Sequence, residues 1–191
     1  MNGFTEESLR LDEYKETAKD CDLLLWRPTS WYGHVIARAT NGPYSHISGV
    51  LDWSGSLWQV GYEEGKGGYG SPLAVAAQRW PGRMDVFRVS VNYDVALVAE
   101  RMKARLGWEY KWGYIRMLAL LNAPFFRWLD WSANIMRRAE RSTAGGICSS
   151  HIATSFCEDE VFFQDGVIAS EITPNDIYHS PITDYIGTLV A

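Results

Sequence analysis

Gly145-Gly146-Ile147-Cys148-Ser149-Ser150-His151-Ile152-Ala153-Thr154-Ser155-Phe156 is the stretch on which the fold turns. Two glycines give an unobstructed approach, and Ile152, Ala153, Phe156 and Cys157 then recur at helical spacing on one apolar face. Cys148 therefore falls at or near a helix N-terminus. There the unpaired backbone N–H groups and the positive end of the helix dipole favour a thiolate, lower its pKa and can receive an oxyanion. The competing reading is a buried, inert core cysteine.

Working outward, the 191 residues are 47% hydrophobic and 21% charged, enough for one domain with a substantial core. The net charge of −5, with no Lys/Arg run, argues against nucleic acid as a partner. Cys21, Cys148 and Cys157 are an odd set in a chain too large to need stapling, and read as free thiols of a reducing compartment. Met1 to Asp20 is polar and acidic, without a basic segment followed by an apolar one, so the expected location is cytoplasmic. The motifs require no cofactor.

Residues 1–21 read as a lead-in with a weak helical pattern, and residues 22–191 as a single domain. Leu23-Leu24-Leu25-Trp26 before Pro28 predicts a buried strand. Ser30 caps a predicted helix with apolar residues at Trp31, Val35 and Ala39, stopped by Asn41-Gly42-Pro43. Tyr44 to Leu51 and Leu57 to Tyr62 predict a hairpin turning at Gly55. Gly65 to Gly70 reads as a glycine-rich loop without the spacing of a phosphate-binding loop. A short helix from Ser71-Pro72-Leu73, a strand around Met84 to Val89 and an amphipathic helix from Asp94 to Leu106 follow. The apolar stretch Ile115 to Trp131 is too interrupted to span a bilayer. It reads as core helices or as an aromatic surface that meets lipid or an acyl chain. Arg137, Arg138 and Arg141 lead to the Gly145-Gly146 turn.

Of four histidines, His46 is the candidate base for Cys148, placed early in a strand between Ser45 and Ser48. An imidazole facing a helix-borne thiol takes its proton and later protonates the leaving group. A hydrogen-bonded strand histidine is the alternative. His151, one turn after Cys148, lies further from the helix terminus.

Asp22 to Arg27, Pro43-Tyr44-Ser45-His46-Ile47-Ser48-Gly49-Val50-Leu51, Leu57-Trp58-Gln59-Val60, Gly145 to Ser150 and Ile172-Thr173-Pro174-Asn175-Asp176-Ile177 together resemble the NlpC superfamily of papain-like cysteine hydrolases. More narrowly they resemble its circularly permuted, YiiX-like branch, in which the histidine strand precedes the cysteine helix. The resemblance runs from about Asp22 to the C-terminus. It implies an α+β fold with an antiparallel sheet or partial barrel packed against the helix bearing the cysteine. It also implies Cys148 as nucleophile and His46 as base. The third residue, which orients the imidazole, is read first as Gln59, which can hydrogen-bond the ring as the Asn of papain-like enzymes does, with Glu63 on the same strand face as the alternative. The implied activity is cysteine peptidase, amidase or acyl-ester hydrolase chemistry on a small peptide, amide or acyl-bearing substrate, with membrane-surface contact a lesser reading. Two alternatives remain: a catalytically inactive ligand- or lipid-binding module of the same fold, and a metal site of Cys148, His151 and His46, whose spacing matches no standard zinc pattern.

Overall fold

The apolar run at Leu23-Leu24-Leu25 is continuous because it is covered on both sides: Leu23 and Leu25 enter one core and Leu24 the other. The computed structural model describes residues 7–63, 66–108, 148–169 and 171–190. The expectations for Ile115 to Trp131, for Arg137, Arg138 and Arg141, and for the Gly145-Gly146 turn lie outside these residues.

The described elements run, in chain order, β1 (Ser8–Arg10), α1 (Leu11–Thr17), β2 (Leu23–Trp26), α2 (Trp31–Ala39), β3 (His46–Trp53), β4 (Ser56–Glu63), β5 (Gly67–Pro72), α3 (Leu73–Arg79), β6 (Met84–Val89), α4 (Val95–Ala104), α5 (Cys148–Cys157), α6 (Pro174–His179) and β7 (Thr183–Val190). The fold is α+β. Among the described residues, seven strands form one sheet in the order β1-β7-β6-β2-β3-β4-β5. β1 and β5 stand at its two edges and do not pair with each other, so the described sheet is open and not a closed barrel. Every pairing is antiparallel except β1 with β7, which is parallel.

One face of the sheet carries Ile47, Leu51, Val60 and Tyr62 and is covered by Met102 of α4 and Ile152 and Phe156 of α5. The other carries Leu24, Val50, Met84 and Val86 and is covered by Tyr14 of α1 and Leu73, Ala76 and Ala77 of α3. Each fully buried leucine here contributes about 1.5–3 kcal/mol. Gly49 sets how closely the helices approach, since a Cβ there would meet the Met102 sulfur at 2.7 Å. Arg105 ties α4 to α5, donating from Nη1 to the His151 carbonyl at 3.0 Å and to Ser155 Oγ at 3.2 Å.

The sequence-based lead-in has a structural role. β1 pairs with β7, and Tyr14 is buried with its hydroxyl on Asp22 at 2.9 Å. Two expectations need correction. Helix α2 is capped by Ser30, which accepts from the Gly33 amide at 3.1 Å, but it buries Gly33 and Ala37 and leaves Trp31 79% exposed. Its small residues permit close approach to Pro28, and that contact, not the apolar stripe of Trp31 and Val35, selects the inner face. The glycine-rich loop is in its main part strand β5. There Gly68 lies so close to the Arg105 carbonyl that a side chain would collide, and the turn at Gly107-Trp108 bonds to its backbone. Its glycines serve close backbone approach, not a phosphate.

Candidate active site

Three free thiols are present, at Cys21, Cys148 and Cys157. Cys148 is the first residue of α5, and is buried. Helix α5 lies on β3 by the face of Ile47 and Gly49, whereas strand alternation sets His46 on the other face, with Ser48 and its cross-strand neighbour Trp26. The sheet opens where these meet. Pairing between β3 and β4 ends at Ser48↔Gly61, although the strands run on to His46 and Glu63, and β4 continues with β5 to Glu63↔Gly67. Ile47, the residue after His46, lies at this opening in the core that α5 covers, and its backbone amide favours the Cys148 thiolate.

The amides of Ile47, Ser149 and Cys148 itself favour the thiolate, as a helix terminus should. Burial is the larger influence, and the Cys148 thiol is pushed up from its ordinary value. This differs from the lowered pKa expected from the helix terminus alone. Burial likewise lowers His46 to about 4, with Glu63 opposing. Near pH 7 both groups therefore rest neutral, so any thiolate at Cys148 would be produced by proton transfer and is not stored as an ion pair.

Glu63 and Gln59 share a strand face but differ in partners. Continued two residues, the β3–β4 register sets Glu63 opposite His46, and Glu63 is the charge that His46 feels. Lys66 Nζ binds its carboxylate at 2.7 Å, and the Glu63 charge is felt by Tyr69. Lys66 also stands 5.1 Å from the centre of the Tyr69 ring. Burial, Glu63 and Cys148 all disfavour Tyr69 ionisation, so the sulfur is within charge reach of the face that carries His46 and Glu63. Gln59 instead pairs across from Val50 and bonds to Ser48 and Ser71. Tyr69 and Lys66 were missed from sequence because they stood in what read as a loop; a period-two reading of Gly67 to Pro72 would have placed Tyr69 beside Glu63.

His151 is 3% exposed, its ring 4.8 Å from that of Tyr62, and among the described residues neither ring nitrogen has a hydrogen-bond partner. Burial and Arg105 lower it to about 3. The unfolded chain protonates such imidazoles below about 6.5, whereas the folded chain resists until about 3 at His151 and about 4 at His46. Stability should therefore fall as pH drops through this window and level off beneath it. His151→Phe, which removes two orphaned nitrogens and keeps a ring against Tyr62, is expected to flatten the fall by roughly half. Urea unfolding at pH 7.5 and pH 4.5 measures both slopes; equal slopes would refute the assignment to His151.

Among the described residues, no three His, Cys, Asp or Glu side chains are grouped so as to hold a metal ion, and no helix is long and apolar enough to cross a membrane.

An open α+β sheet, with a thiol-bearing helix laid across the strand that a histidine begins, defines the class: a YiiX-like fold. In particular, the chain is similar to the crystal structure of the metalloprotein yiiX from Escherichia coli O157:H7, at 13% sequence identity and a TM-score of 0.61, covering 91% of this chain and 98% of that one. No protein-family model matches the chain, and no curated protein does.

Proposed function

We propose that the chain is a thiol hydrolase of the papain-like, NlpC-type kind, cleaving a small peptide, amide or acyl ester. The observation that carries this is the seating of α5, which Cys148 begins, on β3 in the core of Ile47, the residue after His46, where the β3–β4 pairing stops. Cys148 attacks the carbonyl while His46 takes the thiol proton; the imidazolium returns it to the leaving alcohol or amine, and water then hydrolyses the thioester. Amides at the start of α5 supply the oxyanion donors. Glu63, not Gln59, orients and stabilises the imidazolium, because its carboxylate is the charge His46 feels, with Lys66 paired to it. The three free thiols support a reducing compartment such as the cytoplasm.

Incubation with short-chain p-nitrophenyl esters is expected to leave an acyl group on the Cys148 peptide, read by mass. Glu63→Gln should slow that acylation about 10–100-fold while leaving the protein folded, since Glu63 is at the rim. Acylation of Cys21 or Cys157 in preference to Cys148, or none at all, would leave the fold as a binding module.

A further inference from the structure

We propose that Trp26 is a positioning residue for His46, held by a hydrogen-bond relay through Ser48, Gln59 and Ser71 that crosses four strands. The inference rests on the thiol-hydrolase reading, in which His46 is the base. Trp26 and His46 are cross-strand partners on β2 and β3, with ring centres 6.0 Å apart and planes at 64°, an edge-on contact. Trp26 Nε1 donates to Ser48 Oγ at 3.0 Å, Ser48 Oγ donates to Gln59 Oε1 at 3.4 Å, and Gln59 Nε2 donates to Ser71 Oγ at 2.9 Å.

The direction of these bonds is consistent from end to end. An indole N–H can only donate, so its one bond fixes the rotation of the ring. Ser48 spends its hydrogen on Gln59, whose amide is thereby oriented to donate to Ser71. Ser48 is fully buried and Gln59 nearly so. Apolar side chains would fill this layer without the cost of desolvating polar groups. What the polar layer adds is a single orientation for Trp26, and Trp26 is the ring that His46 meets. The charge acting on His46 comes from elsewhere, from Glu63 on β4, with Tyr69 of β5 behind Glu63. Trp26 is uncharged, so its influence on the imidazole is through ring contact and the exclusion of water.

The test is a titration of the His46 ring by carbon-detected NMR, with the resonance assigned from a His46→Gln variant. It compares the wild type with Trp26→Leu, Trp26→Phe and Gln59→Leu. Admitting water at Trp26→Leu is expected to raise the His46 titration by about one pH unit or more. Gln59→Leu should raise it by about half a unit and speed exchange of the Trp26 indole hydrogen about tenfold or more, because the ring loses its anchor. Trp26→Phe keeps a ring and removes only the first donor, so it decides the matter should Gln59→Leu not fold. An unchanged His46 titration in the folded variants, with the indole hydrogen of Gln59→Leu exchanging faster, would make the relay purely structural and overturn the proposal. Failure of the hydrolase reading shows separately, as Cys148 alkylation that is indifferent to His46→Ala.

Discussion

Cys148→Ala is expected to reduce turnover of any ester or amide that the protein cleaves by at least about a thousandfold, because it removes the thiol that forms the covalent thioester. Cys157→Ser is the matched control. It changes a thiol at the far end of the same helix, nine residues and about 13 Å further on, and should leave turnover within about twofold. The pH dependence follows from the burial of His46. With the imidazole held to about 4, its neutral, basic form persists well below pH 6, so the acid limb of turnover should fall nearer 4 than the ordinary histidine value. Steady-state rates on the ester that acylates Cys148 measure both. Retention of most of the activity in Cys148→Ala would dismiss the thiol mechanism.

Asp85→Ala is expected to destabilise the fold by about 3–5 kcal/mol, the largest stability effect of a single polar substitution here. Asp85 is fully buried on β6, accepting from Arg27 Nε at 2.9 Å and from the Tyr44 hydroxyl at 2.6 Å, and Thr188 also donates to it. Truncation leaves the Tyr44 hydroxyl buried without that acceptor and takes a carboxylate away from the partly buried Arg27 guanidinium. The consequence reaches the site, because Arg27 follows Trp26 at the end of β2 and Tyr44 precedes His46 by two residues. Asn175 grips the same Tyr44 from α6, accepting from its amide at 3.0 Å and donating to its carbonyl at 2.8 Å. Asp85 and Asn175 thus fix the backbone from which His46 emerges. Urea unfolding should show a lower midpoint with an unchanged slope. A loss below about 1 kcal/mol would mean that this network contributes little.

What the sequence revealed was what local chemistry dictates. Leu23-Leu24-Leu25 before Pro28 fitted a buried strand, Ser30 capped the helix it preceded, Gly55 turned the hairpin, and the apolar spacing after Cys148 gave α5. What it hid depended on contacts distant in sequence. Gly67 to Pro72 lacks the side chains that mark a strand, and becomes one because β4 offers a free edge and Arg105 comes close. The exposure of Trp31 follows from Pro28 admitting only the small residues of α2. Within the site, the order of His46 and Cys148 was legible through the family resemblance, but the opening of the β3–β4 ladder was not. Neither was the difference between Glu63 and Gln59: the pattern put both on one face, and only the register set one opposite His46.

The coupling of Cys148 to His46 is tested most directly by the rate of iodoacetamide labelling of each cysteine, read by peptide mass from pH 5 to pH 9, in the wild type and in His46→Ala. At pH 7, labelling of Cys148 in the wild type is expected to be at least about tenfold faster than in His46→Ala, since the buried thiol needs the imidazole to accept its proton. Cys21, buried and pushed up to about 12, should label slowly in both. Equal rates at Cys148 in the two proteins across the pH range would contradict the pair.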